Sequence, residues 1–328
     1  MENKNKLEKI LSLPVAIIIA GAMLSGAWMY NSRLKISDSP RKISIASENI
    51  QEKSVLEEKV LPTAGVELPV SWGDLGKKMV STGVIDETKF KALYEQRGQF
   101  TKEYEKLLLG DSKEKLIINE ENAGYLLNLF WALGLSNANS ILVDQKEMNN
   151  PQYGGVANFA STGGWTMAKG SAMDHYNRHI FFELTPEQQA LVDKVSRGIY
   201  RPCCNNSTHF PDCNHGMAML GFLELMASQG VSEQDMWKAA LAVNSYWFPD
   251  TYITIATYMK DKKGVEWKDV NPEEMLGVNY SSGSGFRNIS SQVTPPAQRR
   301  GGNGCGVNTG QATKASAPAP KQQSGCGI

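Results

Sequence analysis

The chain of 328 residues sets 34 lysines and arginines against 34 aspartates and glutamates. With no basic stripe interleaved with aromatics, this balance excludes a nucleic-acid partner. Neither end has the patterning of a globular domain, so one hydrophobic core of roughly 200 residues is expected.

Residues 1–10 read as a short cytoplasmic N-terminus. From Ile10 to Ser32 there is no charged residue, and Leu11 to Tyr30 is long enough for a membrane span, which takes about 20 apolar residues. Lys4, Lys6 and Lys9 precede it, and Trp28 and Tyr30 sit where interfacial aromatics belong, although Arg33 and Lys35 lie on the far side. The alternative is a cleaved signal peptide, with Ala20-Gly21-Ala22 as its small-residue site. Either reading exports the rest of the chain, so the expected location is the cell membrane, with a single-pass anchor and an extracytoplasmic soluble domain.

Residues 31–65 mix Ser, Lys and Glu with few aromatics and read as a stalk. Residues 66–278 read as an all-α domain. Helix starts are marked by Asp86, by Asn119, by Thr185-Pro186-Glu187-Gln188 and by Ser232, which comes after a helix-closing Gly230. No run of alternating strands is evident. Residues 150–170 are rich in glycine and asparagine but carry Tyr153, Phe159 and Trp165, so they read as an ordered loop. Residues 279–328 contain no acidic residue and abundant Ser, Gly, Pro and Gln, and read as a disordered tail. Cys305 and Cys326 in that tail read as tethered thiols able to deliver metal or exchange disulfides.

All four histidines (His175, His179, His209, His215) and three of the five cysteines (Cys203, Cys204, Cys213) fall between positions 175 and 215. A cysteine pair, eight residues, a third cysteine, one residue and a histidine supply the soft ligands of a zinc or copper site. Cys203, Cys204, Cys213 and His215 are the expected ligands, with His209, His175 and His179 as alternates. The adjacency of Cys203 and Cys204 departs from the two-to-four-residue spacing of zinc sites. Adjacent α-carbons about 3.8 Å apart also make a bridge between these two strained, so a stable disulfide would join one of them to Cys213. Asp212 is placed to cap an apolar helix beginning at Cys213, whose N-terminus favours thiolate. Met217 and Met219 in that helix read as core residues. His175 and His179, four apart, would share one face of a helix starting near Ser171. No phosphate loop, His-Glu-x-x-His helix, haem attachment motif or nucleophile elbow occurs, and no catalytic residue is assigned.

The stretch from Leu184 to Trp247, with its capped helix, cysteine loop, apolar helix and further helix after Gly230, is similar to the cytochrome c maturation H-type thiol proteins. It lacks their Cys-x-x-Cys pair. Pro202-Cys203-Cys204 and Asp212-Cys213 resemble the PCYCGC-motif lipoproteins, with one motif cysteine missing. The whole chain most resembles membrane-anchored cysteine-loop proteins of uncharacterised activity. Three functions are expected from these features: binding of copper or zinc, with a metal-donor or thiol partner; a thiol-disulfide relay in envelope protein maturation; or a structural module whose loop is stapled by a disulfide.

Overall fold

The computed structural model describes residues 55–294. Helical residues 55–60 lead into strand β1 (Val66–Gly73), helices α1 (Leu75–Thr82), α2 (Glu87–Glu95) and α3 (Lys102–Leu109), strand β2 (Ser112–Ile118) and helix α4 (Ala123–Ser136). After a segment of short turns come α5 (Pro186–Gly198), α6 (Asn214–Ser228), α7 (Glu233–Trp247) and α8 (Pro249–Tyr258). Three short helices complete the order: α9 (Pro272–Leu276), α10 (Val278–Ser281) and α11 (Gly283–Ser290).

The expected caps largely hold. Asp86 accepts from the Lys89 amide, Ser232 accepts from the Asp235 amide, and Thr185 and Gln188 form a reciprocal capping box. Asn119 is the exception, because it exchanges two hydrogen bonds with Asn122 and α4 starts one turn later than its sequence suggests.

The fold is mostly helical, but the expectation of no strands needs correction, since β1 and β2 pair antiparallel. Leu68, Val70 and Trp72 alternate inward along β1, the period-2 signal of a half-buried strand. Pro69 sits inside this run, and the register is irregular between Glu67 and Ser71, as expected where proline cannot donate to the ladder.

The domain boundaries also widen. Leu56, Val60 and Leu61, placed in the expected stalk, are buried, and Tyr246 Oη donates to the Pro62 carbonyl. At the other end, α10 and α11 occupy sequence that reads as disordered tail. Ser281, Ser282 and Ile289 are buried there, because small residues let these helices approach their neighbours closely and serine hydroxyls satisfy buried acceptors. The expected anchor Leu11–Tyr30, Cys305 and Cys326 lie outside the described residues. Among the described residues, no helix is long and apolar enough to cross a membrane.

Two helices that are apolar almost all round, α4 and α6, form the centre of the core. They meet backbone to backbone: a Cβ on Gly134 would lie 2.1 Å from the Met217 carbonyl oxygen, and one on Gly221 would lie 2.4 Å from that of Phe130. Phe130 and Phe222 stack beside this crossing. Glu224 is buried within α6, where Asn137 Nδ2 donates to its carboxyl at 2.8 Å and burial pushes its pKa well above the ordinary carboxyl range. The glycine-rich loop is ordered, as expected: Trp165 is buried against Trp131 and donates to the Val84 carbonyl.

Gly134→Ala is expected to lower stability by about 1–3 kcal/mol, because the crossing must open. Gly124→Ala, in the same helix with nothing within 4 Å of the added Cβ, is expected to be neutral or stabilising by up to about 1 kcal/mol. Chemical denaturation of the two variants checks the contrast, and equal effects would contradict it.

Candidate metal centre

The cysteine loop hangs between the end of α5 and the start of α6. Its neck is closed by a bridge between Tyr200 and Ser207 and by the Thr208 amide donating to the Ile199 carbonyl at 2.8 Å. Inside lies Arg201, with a relative exposure of 1%. Its guanidinium donates to the carbonyls of Ser207 at 2.7 Å and Phe210 at 3.2 Å and pairs with the Asp212 carboxylate at 2.5 Å. Asn206 Nδ2 donates to the other Asp212 oxygen at 2.7 Å. The guanidinium lies over Gly216 in the first turn of α6, where a Cβ would come within 2.7 Å of it.

This pairing corrects the expected cap. Asp212 is engaged by Arg201 and Asn206, and the N-cap of α6 is Cys213 in extended conformation, its Sγ accepting from the Gly216 amide at 3.5 Å. The helix therefore begins at Asn214, and a sulfur occupies the position where the helix dipole favours an anion.

The three loop cysteines converge without a disulfide. Cys203 Sγ lies 3.9 Å from Cys204 Sγ and 3.8 Å from Cys213 Sγ, against about 2.05 Å for a bond. Ligand atoms of Cys203, Cys213 and His215 lie within 4.8 Å of one another, as do those of Cys204, Asp212 and Cys213. Sulfurs at the corners of a tetrahedron around zinc, each about 2.3 Å from the ion, stand about 3.8 Å apart, so the observed separations fit such an ion. His215 is buried and packs its ring against Phe248 and Trp247. Neighbouring segments hold the loop from outside: the Ser161 amide donates to the Asp212 carbonyl, the Gly283 amide to that of Cys204, and Tyr153 and Phe159 pack on Phe210.

The electrostatics polarise the sulfurs. Hydrogen bonds from Cys203 and Cys213, with Arg201 adding its charge, hold the Cys204 thiol far below its usual pKa against the effect of burial. Cys213 moves the other way, because the pull of its hydrogen bond to Cys203 is outweighed by Cys204 and by complete burial. Burial opposes the charge on Arg201, but Cys213, Cys204, Asp212 and Cys203 together keep it cationic. Burial also raises the Asp212 pKa, against the pull of Arg201.

No family model, curated protein or solved structure matches this chain. The chemistry of the site therefore rests on its own geometry.

The alternate histidines stand outside the cluster. His209 Nε2 lies 2.8 Å from both Asp193 Oδ1 and Arg197 Nη2. His175 and His179 do not share a helix, because Ser171 and Asp174 cap a single turn, Ala172–Asp174, that goes no further. Their rings still meet, Nδ1 of His175 lying 3.0 Å from Nε2 of His179, while His175 Nε2 lies 3.0 Å from the Lys169 carbonyl. That carbonyl can only accept, so it assigns the proton to His175 Nε2. Burial, then His175 and Arg178, lowers the His179 pKa. The residues that sequence reasoning missed are Arg201, Asn206 and Gly216. The available signal was an arginine and an aspartate bracketing a cysteine loop, a charge pair that a buried loop requires.

Cys204, its pKa lowered by its neighbours and its side chain half-buried, is expected to be the first of the three to react with iodoacetamide, at a rate nearly constant from about pH 8 to about pH 5. An ordinary thiol with pKa about 8.5 would slow nearly tenfold per pH unit across this range. Mass spectrometry of timed digests checks both the order and the pH profile.

Proposed function

We propose that the protein binds a transition metal, copper or zinc, through Cys203, Cys204, Cys213 and His215. The observation that carries this reading is the convergence of three sulfurs, at separations of 3.8 and 3.9 Å, beside a buried imidazole. A loop built only as a disulfide staple would need two sulfurs in bonding contact and would have no use for the third. Both ions suit thiolate and imidazole donors. Arg201 provides positive potential that favours the thiolate of Cys204, the form a metal requires. With Leu11–Tyr30 as a membrane anchor, the site would stand outside the cytoplasm, available to a metal donor or a thiol partner.

A second reading is supported by the lowered pKa of the Cys204 thiol. A nucleophilic sulfur beside Cys203 and Cys213, whose own sulfurs stand 3.8 Å apart, is suited to disulfide exchange through a reactive bridge between Cys213 and Cys203 or Cys204, in line with the resemblance to cytochrome maturation thiol proteins.

Metal analysis of the full chain after anaerobic purification separates the two. The metal reading expects bound copper or zinc, or tight uptake on titration, and loss of that binding in Cys213→Ser and in Cys203→Ser with the helical content retained. A purified chain that carries no metal and takes up neither ion overturns it.

A further inference from the structure

His175 and His179 stand apart from the sulfurs and take no part in the metal centre. Nδ1 of His175 lies 3.0 Å from Nε2 of His179, and the two rings stack with centroids 5.3 Å apart. Because the Lys169 carbonyl fixes the proton of His175 on Nε2, Nδ1 of that ring is the acceptor and His179 is the donor. We propose that the two rings form an acid-sensitive clasp, which closes the 169–179 turn at neutral pH and opens when both are protonated, releasing the end of the glycine-rich segment. The clasp does not depend on what the cysteine loop binds.

The pair can hold one added proton, on Nδ1 of His179, with the bond between the rings intact. A second proton has Nδ1 of His175 as its place, and two N–H groups would then face each other across 3.0 Å. The rings have little room to part within the closed turn. His175 is buried, its Cε1 only 3.5 Å from where a Cβ on Gly83 would stand, and His179 stacks on Phe181. Between them Asn177 is left-handed at φ 53°, the one non-glycine residue with positive φ among the described residues, a conformation unfavourable for most L-residues. The surrounding charge also opposes protonation. Arg178 lies within the turn, Lys169 at its start, and Lys89 of α2 donates its ammonium to the Ala168 carbonyl. The acidic groups are engaged elsewhere: Asp174 with the Ser171 amide, Asp86 with the Lys89 amide and Glu224 of α6 with Asn137. Unlike His209, which has Asp193, neither ring of the clasp has a carboxylate partner among the described residues. Because burial, His175 and Arg178 lower the His179 pKa, the open turn binds protons more tightly than the closed one. The clasp therefore contributes fully above the ordinary histidine pKa of about 6.5 and is lost as the pH falls below it. Lys169 ends the segment whose Ser161 and Phe159 lie against the cysteine loop, so acid loosens that cover as well.

Hydrogen–deuterium exchange of the full chain, corrected for the intrinsic effect of pH, reads the opening at the amides of Asn177, Arg178 and His179, which donate to the Leu135 and Ser136 carbonyls. Their protection is expected to fall about tenfold between pH 7 and pH 5, while the amides of α6 keep theirs. His175→Gln is the informative variant, since its amide can donate to the Lys169 carbonyl and accept from His179 but takes up no proton. With its fold confirmed by circular dichroism, its protection is expected to be the same at both pH values. A second measurement uses the unaltered chain. NMR of its four histidine rings is expected to show two of them titrating in coupled steps, the lower step coinciding with the loss of protection. No fall in the parent chain, the same fall in His175→Gln, or independent titration of all four rings overturns the clasp.

Discussion

A guanidinium sealed from water must be surrounded by acceptors and anions, and the architecture of the cysteine loop comes from meeting that demand for Arg201. Two backbone carbonyls, one carboxylate and the nearby sulfurs compensate the charge. Breaking a buried pair of this kind typically costs about 3–5 kcal/mol, enough to make the loop's path a condition of folding. Because its acceptors are Ser207, Phe210 and Asp212, the chain from 201 to 213 must wrap around the arginine. That path carries Cys203 and Cys204 back to the N-terminus of α6, where Cys213 and His215 are already fixed.

The position of α6 depends on a second close approach. Gly134 and Gly221 let α4 and α6 touch through their backbones, so the first turn of α6 is set by the deepest part of the core and not by the loop. Gly216 plays the corresponding role at the helix entrance, leaving room for the guanidinium. The 150–170 segment and α11 then close over the loop through Ser161, Phe159 and Gly283. The sulfurs are thus held by three stretches of chain distant in sequence, the kind of support that fixes metal ligands before the ion arrives.

Much of this was legible in the sequence. The caps at Asp86, Thr185 and Ser232, the apolar character of α6 and the clustering of Cys203, Cys204, Cys213 and His215 all depend on local chemistry, which sequence carries directly. What escaped depends on partners far along the chain. The β1 alternation of Leu68, Val70 and Trp72 was masked by Pro69, and the serines of α10 and α11 resemble disorder until their packing is seen. Asp212 reads as a helix cap from its place just before α6, but Arg201, at the other end of the loop, takes its carboxylate and leaves the cap to Cys213. His175 and His179 meet as their spacing suggested, but across a turn and apart from the sulfurs.

A metal held by sulfur at the entrance of α6 is the central claim. X-ray absorption at the metal edge, on full chain loaded anaerobically with copper(I), reads that coordination directly. A shell dominated by sulfur, losing sulfur scattering in Cys213→Ser, is the predicted result. A shell of nitrogen and oxygen alone, or one unchanged by that substitution, would contradict it.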